Sequence, residues 1–283
     1  MSASMGTNSY GKDGIRLVLV RREPRRHELR DLTVGIRLAG DFDRVHTEGD
    51  NSAVLPTDTM RSTVYALAQE HLTGCIEDFG VAVARRLLSV TPAASTARVE
   101  LVEHRWTRSS VAGALHAHAF ESGSAERATA SVTVDRGGQV DVHSGLDGLS
   151  LLKTTDSAFS GFLRDELTVL PETEDRILAT EVAADWAHLP GHTPAYDVER
   201  AAARRALVET FASHRSRSVQ HTLHAMGAAL LAACPDAAEV HLRLPNKHHV
   251  AVDLQAVGLT NDRAVFVATD RPYGVIEGTV TRG

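Results

Sequence analysis

The sequence predicts an α+β protein with antiparallel sheets, in two tandem halves of element order ββααββ. Three observations carry this. Apolar residues pass from a period of two to a helical period and back, in the same order in each half. The two helical segments of each half follow one another directly, with extended runs on either side. The turn Asp135-Arg136-Gly137-Gly138 falls near the midpoint and divides the chain into domains at 1–137 and 138–283.

The elements follow in order. Gly14 to Arg22 is rich in Leu and β-branched residues, and Glu28 to Gly40 repeats the pattern after a Glu-Pro-Arg-Arg break, so the two runs predict a hairpin. Met60, Val64, Leu67 and Ala68 form one stripe of a helix from Thr59 to Glu70, with Thr57 or Asp58 as the expected N-cap. Ile76, Phe79, Val83, Leu87 and Val90 mark a second helix from about Thr73, ended by Pro92. Strands are expected near Ala97 to Thr107 and Arg127 to Val134. The second half predicts strands near Gln139 to Thr155, with a Gly145–Gly148 break, and near Arg176 to Trp186. A loop with two prolines spans His188 to Tyr196. Helices follow from Asp197 to Ala212 and from Ser218 to Ala233, then strands at Glu239 to Leu244 and Ala264 to Thr269. A four-stranded sheet with helices on one face leaves two edges open. Joining such sheets into a closed barrel removes those edges, which predicts an oligomer.

Composition narrows the function. The 283 residues are 43% hydrophobic and 23% charged, with a formal net charge of −6. That charge disfavours nucleic acid as a partner. The longest apolar runs fall short of the roughly 18 residues of a membrane span. The polar N-terminus has no signal-peptide core and the chain ends Thr-Arg-Gly, so cytoplasm is the expected location. Cys75 and Cys234 are too few for a disulfide framework or a Cys-based zinc site, and both read as buried thiols.

Several motifs fail on chemistry. Gly6-x4-Gly11-Lys12 resembles a phosphate loop, but Asp13 stands where Ser or Thr is needed and no strand fits before Gly6. There is no Gly-x-Ser-x-Gly elbow and no Gly-x-Gly-x-x-Gly after a strand. His116-x-His118 would place two rings on one face of an extended segment, with His104 on a neighbouring strand. Zinc or copper could use such a set, but without a carboxylate or thiolate beside it the expectation is no metal.

Five ordered segments carry more. They are Tyr10-Gly11-Lys12; Gly49-Asp50-Asn51-Ser52 with Pro56-Thr57-Asp58-Thr59; Phe159-Ser160-Gly161-Phe162-Leu163-Arg164-Asp165 with Glu172 to Leu178; Ser218-Val219-Gln220; and Leu244-Pro245-Asn246-Lys247-His248-His249. In this order and spacing the chain resembles the urate oxidase (uricase) family of bacterial type, from Tyr10 to the segment Asp270-Arg271-Pro272-Tyr273-Gly274.

The resemblance implies a fold of two tandem T-fold domains whose barrels assemble into a homotetramer with active sites between subunits. It implies oxidation of uric acid by O2 to 5-hydroxyisourate and hydrogen peroxide, with no cofactor. Arg176 and Gln220 would clamp the purine, Phe159 would stack on it, and the Val219 N–H would donate to it. These roles fit the chemistry: a guanidinium is a planar fork for oxyanions, an amide both donates and accepts, and an aromatic face suits a flat ring. Thr57 and Asp58 would reach the substrate across the subunit interface. Lys12, Thr57 and His248 would form a proton relay, and Asn246 would hold O2 or water over the ring. A charged lysine is no base, so Lys12 needs burial or a neighbouring cation to act as one. Asn246 and His248 are two apart, so an extended segment projects them to one side.

Each residue taken alone reads otherwise. Arg176 would pair with Glu172 or Asp175 at the surface, Phe159 would be core, and Thr57 a helix cap. Two other classes stay open at this point. A non-catalytic purine-binding T-fold protein would keep Phe159, Arg176 and Gln220 but lose the relay. A metal-dependent purine or pterin hydrolase of related fold would need a metal set.

Overall fold

The protein, as a computed structural model, is described over residues 3–283. It divides into two compact units. The first comprises the chain up to Gly145 together with Ala187–Asp197; the second comprises Leu146–Trp186 and Val198–Gly283.

In the first unit, strands β1 (Ser9–Arg22), β2 (His27–Gly40), β3 (Ala94–His104) and β6 (Arg127–Asp135) pair antiparallel in the order β1-β2-β3-β6. Alternation decides which face is covered. Leu32, Val34, Ile36 and Leu38 of β2 all point to one side and are at most 1% exposed. Helices α2 (Thr57–His71) and α3 (Ile76–Val90) supply Met60, Val64, Ile76, Phe79, Val83 and Leu87 to the same core. Each such side chain contributes roughly 1.5–3 kcal/mol on burial. Gly80 of α3 lets the helix approach the sheet closely: a Cβ there would lie 2.8 Å from Leu101 Cδ1 and 2.9 Å from Val132 Cγ2. The unit also holds a short helix α1 (Asp43–Thr47) and a separate hairpin of β4 (Thr107–Val111) and β5 (Ala114–Glu121).

Strand β7 (Val140–Lys153) carries the chain from the first unit into the second. There the strand order is β7, β8 (Leu178–His188), β9 (Ala237–Ala251) and β10 (Phe266–Thr281), with β9 and β10 antiparallel. Helices α4 (Tyr196–Ser213) and α5 (Val219–Ala233) bring Ala203, Leu207, Phe211, Leu223, Met226 and Leu230 onto a core that includes Trp186, Val240, Leu242 and Leu244. The buried Trp186 Nε1 donates to Glu199 Oε1 at 2.9 Å, so its polar atom is satisfied. β1 and β10 end their respective strand orders.

Several elements differ from the sequence expectation. The N-cap of α2 is Pro56, with φ −55° and ψ 138°, and no side chain caps the helix; Thr57 is its first helical residue. Proline's fixed φ sets the entry, so neither Thr57 nor Asp58 is used as a cap. α3 starts at Ile76 rather than Thr73, because Cys75 is extended and Gly74 lies outside the helix, its carbonyl accepting from Arg30 Nη1 at 2.6 Å. Glycines do not break β7; Gly148 adopts φ +76° and the strand continues through it. The hairpin β4–β5 and helix α1 lie in segments without apolar periodicity. Strand β9 extends seven residues past Leu244 and takes in Asn246 and His248. Among the described residues no helix is long and apolar enough to cross a membrane.

Candidate active site

The first group of expected site residues belongs to the first unit. Lys12 pairs across the sheet with Ile36, and Ile15 pairs with Val34. Asp13 and Gly14 of β1 thus stand against Gly35 alone in β2, which is a β-bulge, with Gly14 at φ +66°. The extra residue decides where Lys12 points. In a regular strand Lys12 and Ile15 would face opposite sides. With the bulge, Tyr10 and Lys12 share the helix-covered face with Ile15 and Leu17. There Lys12 Nζ donates to Asp58 Oδ1 at 3.1 Å, in the first turn of α2 beside Thr57. Arg61 Nη2 approaches the same oxygen at 3.5 Å. The hydrogen bond from Lys12, then the charges of Arg61 and Lys12, hold the Asp58 carboxyl below its ordinary range. Lys12 therefore meets a carboxylate in this chain, with the Arg61 guanidinium on the same oxygen.

Tyr10 anchors this corner, a role the sequence reading missed. Its hydroxyl accepts from the Leu55 N–H at 2.9 Å, two residues before Thr57, and its ring packs edge-on to Phe42 at 4.9 Å. Burial pushes the Tyr10 phenol up, against the lowering effect of the Leu55 N–H. The available signal was parity: Tyr10 and Lys12 are two apart on one strand.

The second group belongs to the second unit. Phe159 exchanges two backbone hydrogen bonds with Thr173, at 2.7 and 3.0 Å, and these set it beside the segment leading to Arg176. The Arg176 guanidinium lies 5.3 Å from the centroid of the Phe159 ring. It makes none of the ion pairs expected from its neighbours. Glu172 Oε1 accepts from the Gly161 N–H instead, and Asp175 is engaged by Thr155, Ser157 and Arg263. Arg176 Nε is buried without a hydrogen-bond partner among the described residues, and burial pulls the guanidinium below its usual pKa. A partly buried guanidinium with an unsatisfied Nε gains free energy when an anion meets it. Phe162 stacks on Phe159 at 4.9 Å with planes 14° apart, so a second ring, also missed from sequence, supports the first.

Helix α5 begins beside these residues. Ser157 and Ser216 form a parallel bridge, and Ala158 N–H donates to Ser216 O at 2.8 Å. Ser218 is the N-cap and its hydroxyl accepts from the His221 N–H at 3.1 Å. Val219 and Gln220 form the first turn, where main-chain N–H groups point outward and favour an anion. Gln220 is exposed and Val219 buried.

Asn246 and His248 project to the helix-covered side of β9, in phase with Leu242 and Leu244. Leu244 pairs with Ile276, Asn246 with Gly274 and His248 with Thr269. Gly274 adds no side chain opposite Asn246. Between Thr269 and Gly274 strand β10 bulges out of register, the irregularity that often marks a functional strand end.

The histidine set expected as a weak metal candidate divides. His116 and His118 lie on β5 with ring centroids 4.5 Å apart, and the nearest third ring is His27, 5.6 Å from His118. His104 instead shares a hydrogen bond with Thr33 Oγ1 at 2.9 Å. Among the described residues no group of three or more His, Cys, Asp or Glu is arranged to hold a metal.

Comparison with known proteins shows the family. A family profile described as Uricase matches residues 8–133 and 142–277. The uricase of Arthrobacter globiformis is 40% identical over 98% of this chain and 90% of its own length. That of Emericella nidulans is 37% identical over 96% of this chain and 95% of its own. The crystal structure of the Arthrobacter globiformis uricase superposes with a TM-score of 0.93 at 39% identity, covering 100% of this chain and 96% of that one. By profile, by sequence and by fold, the chain belongs to the uricase family.

Proposed function

We propose that this chain is a urate oxidase, which oxidises uric acid with O2 to 5-hydroxyisourate and hydrogen peroxide and needs no cofactor. The observation that carries the reading is Arg176, a partly buried guanidinium without an ion pair among the described residues, lying against the Phe159 ring. A flat anion is the ligand that such a pair suits: it stacks on the ring and neutralises the cation. Gln220 and the Val219 N–H complete the clamp. Lys12, Thr57 and His248 serve as the proton relay, and Asn246 orients O2 and water. Thr57 suits this role because its hydroxyl caps nothing and it sits at the rigid start of α2. Lys12 in the free chain donates to Asp58, so its work as a base requires that this pair open when substrate is bound. Deprotonated urate is itself the reductant, and the protein supplies orientation and proton transfer.

In this reading residues 1–137 and 138–283 are two T-fold domains. Copies close a barrel and form a cytoplasmic homotetramer, with Thr57 and Asp58 serving a neighbouring subunit's clamp. Neither nucleic acid nor membrane is a partner. Two features support the assembly. β1 and β10 end their strand orders and are available for pairing. Between Phe159 and Arg176, Leu163, Leu167 and Val169 are 95%, 79% and 93% exposed, a density of apolar surface that water disfavours. Mixing tests it. Lys12→Met and Arg176→Ala chains, each strongly impaired alone, should regain activity when refolded together. Failure of every mixture to regain activity, with tetramers formed, would contradict shared sites.

A further inference from the structure

Resting on the purine-clamp reading, we propose that Asp175 is a positioning residue that fixes Phe159 and Arg176 relative to one another. The segment before Phe159 is not relaxed: Asp156 adopts φ +58°, an uncommon backbone for a residue with a side chain. Such a turn persists when its surroundings hold it. On one side Ser216 N–H donates to Asp156 O at 2.9 Å. On the other side stands Asp175. Its Oδ2 accepts from the Thr155 hydroxyl at 3.0 Å, and its Oδ1 faces the Ser157 N–H at 3.5 Å.

The main chain of Asp175 is held as well. Its carbonyl accepts from Thr173 Oγ1 at 2.8 Å and from Arg263 Nη2, and the Arg263 guanidinium lies 3.9 Å from Oδ2. Thr173 is the residue that exchanges backbone hydrogen bonds with Phe159, and Arg176 follows Asp175 directly. One side chain therefore links the two walls of the clamp, one bearing the ring and the other the guanidinium. Arg263 comes from the connection between β9 and β10, so the same residue ties the clamp to the strand pair that carries Asn246 and His248. The exposed Arg263 contact adds little by itself. The hydrogen bonds that the carboxylate accepts from Thr155 and Ser157 do the positioning, and they turn it away from Arg176.

The test separates positioning from folding. Steady-state kinetics and anaerobic urate titration are run on the native chain, Asp175→Ala, Asp175→Asn and Thr155→Val. Loss of the link should raise both KM and the anaerobic Kd for urate about tenfold in Asp175→Ala, since misplacement of binding groups by a fraction of an ångström weakens substrate contacts. kcat at saturating urate should stay within about threefold, because the relay is untouched. Asp175→Asn keeps an acceptor oxygen for Thr155 and should recover most of the affinity. Thr155→Val, which removes one donor, should show a smaller rise in KM at native thermal stability. Native urate affinity in Asp175→Ala overturns the proposal, as does a parallel fall of kcat and melting temperature that Asp175→Asn does not recover. A native chain that binds no urate overturns the purine reading instead.

Discussion

The Arg176 guanidinium rests 5.3 Å from the Phe159 ring centroid while two of its three acidic neighbours, Glu172 and Asp175, are engaged by other groups. A cation left in this state is poised for an anion. Arg176→Ala should therefore lower kcat/KM for urate on the order of 10²-fold or more, since the partner groups of a purine oxyanion are left unpaired. Steady-state kinetics with direct urate binding measures this. Unchanged binding in the variant would remove Arg176 from the clamp.

Lys12 is the other residue on which the chemistry depends. Lys12→Met should abolish most turnover at every pH, because a thioether takes no proton. A pH–rate profile is the check, and native turnover anywhere on that profile would end the assignment of Lys12 as base.

The Lys12–Asp58 pair also makes a titration prediction. The Asp58 carboxyl is held below its ordinary value, first by the Lys12 hydrogen bond. A carboxyl depressed in the folded state contributes stability above its unfolded pKa, and that contribution is lost as pH falls through the folded pKa. Asp58 is exposed, so the signature is the titration midpoint rather than a large change in stability. Carboxyl NMR should find the Asp58 midpoint below about 3.9, the unperturbed value, and should find it raised in Lys12→Met. An identical midpoint in both chains would show that the pair does not form in solution.

Gly11 makes a steric prediction. A Cβ there would collide with the Ile36 carbonyl, and backbone cannot give way as a flexible side chain can. Gly11→Ala should cost roughly 1–3 kcal/mol of stability by overpacking and should move Lys12 off its register. Both the melting temperature and kcat should fall. A variant with native stability and native kcat would show that β1 can shift without harm.

The two cysteines should be inert. Burial pushes the thiols of Cys75 and Cys234 up to about 12, leaving almost no thiolate near neutral pH. Neither should label with a disulfide reagent until the chain unfolds. Rapid labelling of the native protein would mean that one of these sites opens locally.

The sequence was informative wherever a pattern had a physical period. The stripes on α2, α3 and α5 and the alternation in β2 follow from burial of one face, and burial is written in residue type. The residues of the proposed clamp stand out by motif order. What sequence could not supply were the devices that aim side chains. The bulge at Gly14 changes the parity of Lys12, yet a glycine in a strand does not announce its φ. Pro56 took the N-cap of α2 because its dihedral, not a hydroxyl, sets the helix entry. Hairpin β4–β5 and the long reach of β9 have exposed faces, so their residues carry weak periodicity. The partners of Asp175 are 12 or more positions away in three of its contacts, and no local rule pairs them.

The most direct test of the central claim is simultaneous recording of urate absorbance and O2 uptake by the purified chain, with and without a strong chelator. One O2 should be consumed per urate lost and hydrogen peroxide formed, at a rate the chelator leaves unchanged. Urate loss that proceeds without O2, or that stops when metal is removed, would contradict it.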